Sequence, residues 1–240
     1  MISIIVPVYN ESKTIGVFLD HLFSHSSDAL ITEILIVDGK SSDGTVYAIS
    51  NYIQSKKHSG CCCRKIKISQ SEKGRAIQQN HGASIAEGEI LYFLHSDSYP
   101  PKYFDQYILA EIKKGVNAGC FRMQFDDTHW WLQFIAWFTR FDSKYCRGGD
   151  QSLFITKSLF EDVRGFDEAY KIYEDNEFIS RLYKEDAFCV IPKIIKTSAR
   201  KYREHGIWTL QYHFFLIHLK KTLGASPEAL YRYYLKYIAK

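Results

Sequence analysis

The chain has 240 residues, 46% of them hydrophobic, and its 31 basic residues against 27 acidic ones give a formal net charge of +4. A chain of this length can bury a sizeable core within one domain. The charge is too small to indicate nucleic-acid binding by itself, and it suits a phosphate-bearing ligand equally well. The sequence has no apolar run of about 18 residues, the length that a membrane-spanning helix requires. The N-terminal segment has no basic region and no small-residue cleavage site, so we expect a cytoplasmic protein without a signal peptide.

The six cysteines show no pair at zinc-ligand spacing, which favours free thiols in a reducing compartment. Three of them, Cys61, Cys62 and Cys63, are adjacent in a polar loop and are poorly placed to chelate one ion together. The sequence therefore predicts no cysteine metal site, and it gives this triplet no role beyond thiol reactivity.

The first hundred residues alternate between strand and helix patterns. Strands are predicted for a continuous β-branched run and for three later runs, at Ile2–Val8, Glu33–Val37, Lys65–Ser69 and Ile90–Leu94. Helices are predicted along an apolar stripe that starts at Ile15, from Ser42 to about Ser55, and from Gly74 to Ala86, where Gly82 weakens the pattern. This alternation predicts an α/β fold with a mostly parallel central sheet flanked by helices.

Three of the predicted strands end in polar residues. These ends are Tyr9-Asn10-Glu11, Asp38-Gly39 and His95-Ser96-Asp97. Parallel sheets bind ligands in the crevice beyond the carboxyl ends of their strands. One aspartate at a strand end is an ordinary cap, whereas several that converge form a candidate site.

The second half of the sequence is less regular. Helices are predicted at Pro100–Lys114, at Trp130–Phe138, from Ser158 and at Glu174–Asp186, and strands at Cys120–Phe125, Leu153–Thr156, Phe188–Ile191 and Ile194–Thr197. The segment Trp130–Phe138 is apolar nearly all round, which indicates a buried or interface-facing helix. No repeat and no linker rich in proline or serine interrupts the chain, so we expect a single domain.

Several common enzyme motifs are absent from the sequence. It contains no GxGxxG after the first strand, no GxxxxGK[ST], no HExxH and no GxSxG. This disfavours dinucleotide oxidoreductases, P-loop NTPases, zinc proteases and serine hydrolases. The polar residues that remain include carboxylates suited to a metal-bound, phosphate-bearing nucleotide, namely Glu11, Asp38, Asp43, Asp97, Asp150, Glu174 and Asp175.

Four segments in order along the chain carry a recognisable pattern: IIVPVYNES, VDGKSSDGT, FLHSDS and GFDEAYKIYEDNEFISRL. Together they resemble the family 2 glycosyltransferases, over the chain up to about residue 205. The segments GRAIQQNHGA, LHSDS, GGDQSLFI and TSARKYREHG are most similar to a bacterial subgroup that carries LHAD where most relatives carry D-x-D. The resemblance implies a single domain over 1–240 with the GT-A fold. It consists of a nucleotide-binding half (1–98), an acceptor and catalytic half (99–205) and C-terminal helices (206–240).

The resemblance also implies residues that bind a nucleotide diphosphate sugar, linked to UDP or GDP. The set is Pro7, Tyr9, Asn10, Glu11, Asp38, Arg75, His95, Ser96 and Asp97. A carboxylate such as Asp38 accepts hydrogen bonds from a base or ribose, and Arg75 precedes a helix N-terminus that suits a phosphate oxygen. Asp43 could contact the same ligand or simply cap the following helix. For Arg75 the alternative to ligand binding is an exposed, solvated cation.

A divalent cation, Mg²⁺ or Mn²⁺, is the implied cofactor, with Asp97 at the last acidic position of the D-x-D pattern. His95 replaces the first acid, and we expect it to contact ribose or form a structural hydrogen bond rather than bind metal. His205, in the basic cluster Arg200, Lys201 and Arg203, is the second expected metal ligand; a solvated surface cluster is the alternative.

For catalysis, the resemblance implies an inverting transfer in which Asp175, paired with Glu174, is the general base. The alternative is that both acids merely suit the positive end of a helix dipole. Gly149, Asp150 and Gln151 would form the acceptor loop, although the glycines also fit a plain turn.

The aromatic and basic tail beyond residue 206 is compatible with two helices packed on the domain, with peripheral membrane contact at the inner face of the membrane, or with a homodimer interface. No nucleic acid is expected as a partner, although a basic aromatic tail keeps that alternative open. Two further alternatives to a glycosyltransferase are a nucleotidyltransferase of similar fold and a non-catalytic protein that binds nucleotide or membrane. The acceptor is not predicted.

Overall fold

A computed structural model of the protein describes residues 1–57, 65–185 and 188–239. Within these ranges eight strands form one sheet. The strands are β1 (Ile2–Val8), β2 (Ile31–Asp38), β3 (Ile66–Gln70), β4 (Ile90–Phe93), β5 (Ser98–Tyr99), β6 (Ala118–Phe125), β7 (Leu153–Thr156) and β8 (Phe188–Thr197). The cysteine triplet Cys61–Cys63 lies outside the described residues. Cys120, Cys146 and Cys189 are free thiols, as expected.

Helices cover both faces of this sheet. They are α1 (Ile15–His25), α2 (Thr45–Lys57), α3 (Arg75–Ile85), α4 (Phe104–Lys113), α5 (Trp130–Trp137), α6 (Lys157–Asp162), α7 (Glu174–Leu182), α8 (Arg200–His205), α9 (Ile207–Thr222) and α10 (Pro227–Tyr237). In the ranges that the structure describes, no helix is long and apolar enough to span a bilayer.

The sheet runs in the order β3-β2-β1-β4-β7-β6-β8-β5. From β3 to β4 every pairing is parallel, as the sequence predicts. Beyond β4 the sheet becomes mixed: β7 is antiparallel to both neighbours, β6 and β8 are parallel, and β5 is antiparallel to β8. The predicted α/β class is confirmed, with an all-parallel first half and a mixed second half.

The alternation of side chains along β1 places residues in two cores. Ile4 and Val6 pack with α1, α2 and α4 on one face of the sheet, while Ile5 packs with α3, α6 and α7 on the other. Gly82 lies in α3 where that helix crosses β1, and a Cβ there would sit 2.4 Å from Ile5 Cγ2. The glycine that weakens the sequence pattern of α3 therefore permits close packing of this helix on the sheet.

Several predicted boundaries in the second half are wrong. Helix α7 ends at Leu182 rather than Asp186 and is followed by a 3₁₀ turn. Helix α4 starts at Phe104 rather than Pro100, because two prolines disfavour helical geometry before them and Tyr103 is left-handed, with a φ of 65°. The two predicted strands at residues 188–197 are one strand, β8. Its register against β6 jumps from Ile191 to Ile194, and this irregularity around Pro192 is what the sequence shows as a gap.

A third core joins the C-terminal helices to the domain. It contains Leu132 of α5, Tyr202 of α8, Leu210 and Ile217 of α9, and Leu230 of α10. The helices of the tail therefore pack on the domain, and α5 buries only Leu132 and Ala136. Trp130, Phe134 and Trp137 of this helix are exposed, so the predicted option of a buried helix is wrong, and the option of an interface-facing helix stays a prediction.

Candidate functional site

The three polar strand ends meet at one edge of the sheet, as predicted. Strand β1 lies between β2 and β4, with Val8 opposite Asp38 and Ile5 opposite Phe93. The backbone N–H of Leu94 donates to Ile5 at 3.0 Å, so β4 continues alongside β1 up to His95. The parallel register therefore places residues 9–11, Asp38 and residues 95–97 in one crevice.

Reciprocal hydrogen bonds hold together the loops that follow β1 and β2. Asn10, which has a φ of 57°, donates its N–H to Ser41 Oγ at 2.9 Å and accepts from the N–H of Ser42 at 2.9 Å. Asp43 accepts from the N–H of Ser12 and of Thr45, each at 3.0 Å. The bond from the Thr45 hydroxyl, foremost, lowers the pKa of the Asp43 carboxyl. Asp43 thus caps α2 and joins the two loops, which is the alternative that the sequence left open.

The predicted nucleotide side has one exposed aromatic ring and one buried carboxylate. The ring of Tyr9 is 39% exposed, with the Lys73 ammonium 3.7 Å from its centroid. Asp38 is 1% exposed and accepts from the N–H of Ser41 at 3.1 and 3.3 Å. Pro7 is buried inside β1, so it supports this edge from beneath rather than lining it.

An ion pair connects the first loop to the basic cluster after β8. Arg200 lies 3.1 Å from Glu11 Oε1, and the Thr14 hydroxyl donates to the other carboxylate oxygen at 2.6 Å. Arg200 also acts electrostatically on Asp97, and Lys201 on Asp150. Arg203 pairs with Asp126 and Asp127 instead. Part of the predicted basic cluster therefore faces the site.

Asp97 is the predicted anchor of a divalent cation. It is half-buried, and within the described residues no donor hydrogen bonds to its carboxylate oxygens. Burial and then the negative charge of Asp150 raise the pKa of Asp97, against the opposing charges of His95, Arg75 and Arg200. A carboxylate with free oxygens and a repelling acidic neighbour fits a hard cation that takes its other ligands from phosphate and water.

The structure places His205 at the end of α8, half-buried. The described part of the chain contains no group of three or more His, Cys, Asp or Glu side chains arranged to hold a metal. Among the described residues, a cation at Asp97 would therefore need further ligands from phosphate or water, and the role of His205 stays a prediction.

His95 lies between two carboxylates of the acceptor side. Its Nδ1 is 3.8 Å from Asp150 Oδ1 and its Nε2 is 3.7 Å from Asp175 Oδ2. Burial and then Arg75 lower the pKa of His95, but the attraction of these two carboxylates outweighs both effects, so the pKa is raised. The residue that replaces the first acid of the D-x-D pattern thus links the predicted base to the predicted acceptor loop.

The acidic pair Glu174-Asp175 begins helix α7, as predicted, after Tyr173 in a left-handed conformation. Asp175 is 8% exposed, and Gln79 Nε2 approaches its Oδ1 at 3.5 Å while His95 faces its Oδ2. One carboxylate oxygen of Asp175 thus faces α3 and the other faces the end of β4.

Glu174 is more deeply buried than its neighbour, at 2% exposure. Its Oε1 is 3.4 Å from the Arg75 guanidinium, and its Oε2 has no hydrogen-bond partner within the described residues. Burial, and then repulsion from Asp175, raise the pKa of Glu174 despite Arg75. Arg75 also acts on Asp97 and Asp150, so the predicted phosphate contact is the central cation among these acids.

The predicted acceptor loop depends on a buried arginine that the sequence analysis missed. Arg147 is 4% exposed. Its guanidinium donates to the carbonyls of Thr139 at 2.9 Å and of Phe141, and to Gln151 Oε1 at 2.7 Å. Its own carbonyl accepts from Asn176 Nδ2 at 2.8 Å, which connects the loop to α7.

The three residues of the predicted acceptor loop play different structural roles. Asp150 is exposed and faces His95, as an acceptor-contacting residue should. Gln151 is 3% exposed and bonded to Arg147, Cys120 and Cys146, so its side chain stabilises the loop from inside. Gly149 starts the 3₁₀ turn that carries both.

Parallel strand ends, an aspartate after β4 and an acidic pair at a helix N-terminus define a protein of the GT-A fold, the fold of nucleotide-diphospho-sugar transferases. The Glycosyl transferase family 2 model matches residues 3–162 of the chain. The chain therefore belongs to this family, as its motifs indicated. The similarity to the LHAD subgroup stays a prediction.

Solved structures share the fold at low sequence identity. S. aureus TarS 1-349 in complex with UDP-GlcNAc superposes with a TM-score of 0.67 and 22% identity, over 82% of this chain and 58% of that one. The mannosyltransferase PcManGT from Pyrobaculum calidifontis, in complex with GDP-Man and Mn²⁺, gives a TM-score of 0.69 and 19% identity, over 98% of this chain and 69% of that one. Both confirm the predicted fold.

Similar sequences are glycosyltransferases that are longer than this chain. The poly(ribitol-phosphate) beta-glucosyltransferase of Bacillus spizizenii is 28% identical over 195 residues, 76% of this chain and 29% of that protein. A protein of Methanococcus voltae is 36% identical over 104 residues, which are 43% of this chain and 31% of that protein. Its name is dolichyl N-acetyl-alpha-D-glucosaminyl phosphate 3-beta-D-2,3-diacetamido-2,3-dideoxy-beta-D-glucuronosyltransferase. The chain thus spans less than a third of the length of these relatives.

Proposed function

We propose that residues 1–240 form one GT-A domain that transfers a sugar from a nucleotide diphosphate to an acceptor hydroxyl with inversion. One observation carries the proposal: Asp97, after β4, and Asp175, at the start of α7, both interact electrostatically with Arg75, and His95 acts on Asp97 while its Nε2 lies 3.7 Å from Asp175. The first carboxylate stands on the side of the nucleotide loops, and the second stands beside the acceptor loop. This arrangement suits a donor and an acceptor held together.

Asp175 acts as the general base. It takes the proton of the acceptor hydroxyl while the acceptor oxygen forms a bond to the anomeric carbon from the face opposite the leaving group. The bond between that carbon and the phosphate oxygen breaks, and its electrons leave with the nucleoside diphosphate. Gln79 Nε2 and His95 Nε2 approach the two carboxylate oxygens of Asp175, at 3.5 and 3.7 Å, and orient the carboxylate.

The other residues bind and orient the substrates. Tyr9, Asn10, Glu11 and Asp38 form the base and ribose side, with Ser96 and Arg75 towards the diphosphate and Asp150 towards the acceptor. Asp97, with His205 from α8, would hold Mg²⁺ or Mn²⁺, which supplies positive charge to the leaving diphosphate. The free oxygens of Asp97 support this assignment.

The donor we propose is UDP- or GDP-linked, because structural neighbours hold UDP-GlcNAc and GDP-Man. By their names, relatives act on poly(ribitol-phosphate) and on a dolichyl phosphate sugar, and we propose a hydroxyl acceptor without naming its carrier. We also propose that the protein acts on the cytoplasmic side of the membrane.

Thermal unfolding with and without ligands tests this function. We expect UDP or GDP to raise the melting temperature only when Mn²⁺ or Mg²⁺ is present, because a ligand that binds the folded state stabilises it by mass action. Asp97→Asn should lose most of this metal-dependent shift. Asp162→Asn, which neutralises an exposed carboxylate at the end of α6, should keep the full shift. If neither nucleotide shifts the melting temperature with either metal, the proposal is wrong.

A further inference from the structure

Helix α5 exposes a row of aromatic side chains that the proposed reaction does not use. Trp130, Phe134 and Trp137 lie at i, i+4 and i+7, so they share one face of the helix. Phe138 and Phe141 continue the row in the turn that follows. All five side chains are between 38% and 63% exposed.

Helix α9 and Leu223, the residue directly after it, carry a second exposed row. It consists of Trp208, Tyr212, Phe215, Leu219 and Leu223, spaced at i, i+4, i+7, i+11 and i+15 and between 41% and 77% exposed. The buried residues of α9, Leu210 and Ile217, each lie two positions after a member of the row, about 200° around the helix. The row therefore points away from the third core.

The two rows are continuous. The Trp208 ring lies 6.1 Å from that of Trp130 and 5.1 Å from that of Trp131, centroid to centroid. We call the surface formed by the two rows and Trp131 the aromatic face. A soluble chain rarely exposes so many large apolar side chains side by side unless a partner covers them.

The segments that carry the aromatic face are also the basic part of the molecule. Residues 129–147 and 199–239 contain ten Lys and Arg against three Asp and Glu. Arg200 and Arg203 pair with Glu11, Asp126 and Asp127 from outside these segments, which leaves a net charge of +4 on this part of the molecule. Arg140 lies 4.4 Å from the Trp137 ring, and the exposed Lys144 lies 5.3 Å from that of Tyr145, itself 86% exposed. Exposed cations thus stand among the aromatic side chains.

We infer that the aromatic face docks on an anionic phospholipid bilayer. Tryptophan and tyrosine with flanking basic residues are the side chains that settle at a membrane interface. Basic residues close to an anionic surface add attraction. A second copy of this chain fits less well, because a symmetric contact would bring the exposed cations Arg140 and Lys144 of both copies together.

The aromatic face adjoins the acceptor loop. Arg147 bonds the carbonyls of Thr139 and Phe141, which follow α5 directly, and the same guanidinium holds Gln151. A protein docked through this face would hold Asp150 and Asp175 near the bilayer, where an acceptor carried on a lipid presents its hydroxyl. This last step rests on the proposed function, whereas bilayer binding does not.

Co-sedimentation with vesicles tests the inference. The purified protein should bind vesicles of phosphatidylcholine with 30% phosphatidylglycerol at least about tenfold more tightly than vesicles of phosphatidylcholine alone. The variants Phe134→Ser/Trp137→Ser on α5 and Tyr212→Ser/Phe215→Ser on α9 should each weaken binding by about tenfold or more. Arg140→Gln/Lys144→Gln should weaken binding to the anionic vesicles only.

Matched variants elsewhere on the surface provide the controls. Tyr47→Ser removes a side chain that is 72% exposed on α2, and Lys102→Gln removes a cation 5.1 Å from the Tyr103 ring. Both should bind vesicles as the wild type does. All variants should keep the nucleotide-dependent melting shift, which separates this inference from the proposed function and shows that they fold.

Two outcomes would overturn the inference. One is wild-type protein that stays in the supernatant with both vesicle types. The other is a wild-type dimer that the α5 and α9 variants convert to monomer while vesicle binding is unchanged, since the aromatic face would then be a contact between copies.

Discussion

The two sides of the crevice are held in different ways. On the nucleotide side, sheet register sets the strand ends, and several hydrogen bonds join the loops, including those of Asn10 with Ser41 and Ser42 and of Asp43 with Ser12. On the acceptor side, residues 138–151 form short 3₁₀ turns with little regular pairing. There a single buried guanidinium, that of Arg147, bonds most of the loop.

This difference teaches where each side is vulnerable. A set of redundant bonds tolerates the loss of one member, because the sheet register still fixes the strand ends. A loop held by one side chain loses several bonds at once when that residue changes. We expect the two sides to respond separately to substitution, in catalysis, stability and pH dependence.

The largest effect should come from Asp175→Asn. Removal of a general base costs about 10²- to 10⁴-fold in rate, so turnover of the nucleotide sugar should fall by that factor. The nucleotide-dependent melting shift should remain, since Asp175 lies on the acceptor side. Initial rates and thermal shifts on the same protein preparation measure both.

Glu177→Gln is the control in the same helix, because Glu177 pairs with Arg181. It should retain most of the wild-type rate. If Asp175→Asn is as active as the wild type, Asp175 is not the base. If it also loses nucleotide binding, the two sides are not separable.

Intermediate effects should come from Arg147→Gln and Asn10→Ala, one on each side. Arg147→Gln leaves buried carbonyls without a donor and should cost about 3 kcal/mol of unfolding free energy. Asn10→Ala loses one bond and a residue suited to left-handed geometry, about 1–2 kcal/mol. Urea unfolding gives both values.

The kinetic readout distinguishes a positioning role for Arg147 from a structural one. Arg147→Lys keeps the charge but not the forked geometry, and should raise KM for the acceptor while the nucleotide-dependent shift stays intact. Asn10→Ala should reduce the nucleotide-dependent melting shift and leave KM for the acceptor unchanged. Equal losses of unfolding free energy in Arg147→Gln and Asn10→Ala would contradict the view that one side chain holds the acceptor loop while several bonds hold the nucleotide loops.

The same contrast decides what the sequence could predict. The strand ends were predictable, because a buried β-branched run followed by polar residues marks both the strand and its site-facing end. Asp97, Asp175 and Arg75 lie where their motifs placed them. In these cases the position of a residue along its own strand or helix determines where it points.

Residues that act across the fold were not predictable in this way. The bonds of Arg147 and the approach of Gln79 to Asp175 join segments distant in sequence, and no local pattern indicates them. The run of glutamines at Gln78 and Gln79, both buried in a helix, was the available signal. The inward orientation of Gln151 follows from Arg147 and was equally hidden.

The smallest expected effect is the pH dependence of folding stability, which has opposite signs on the acceptor side and on the nucleotide side of the crevice. Burial raises the pKa of Glu174 above its ordinary value of 4.5, so the folded state keeps a proton that the unfolded chain releases. Stability contributed by this group is therefore lost as pH rises from about 4.5 through the raised value. The pKa of Asp43 is lowered from 3.8, chiefly by the Thr45 hydroxyl, so its contribution is lost only as pH falls below that range.

Urea unfolding of Glu174→Gln and Asp43→Asn between pH 4.5 and 8 tests this contrast. The glutamine variant should gain stability relative to the wild type as pH rises, because it lacks the buried ionisation. The deficit of Asp43→Asn should stay constant over the same range, because Asp43 remains ionised throughout. A wild-type advantage over Glu174→Gln that grows with pH would mean that the Arg75 ion pair outweighs burial. The acceptor side would then stabilise its charges as the nucleotide side does.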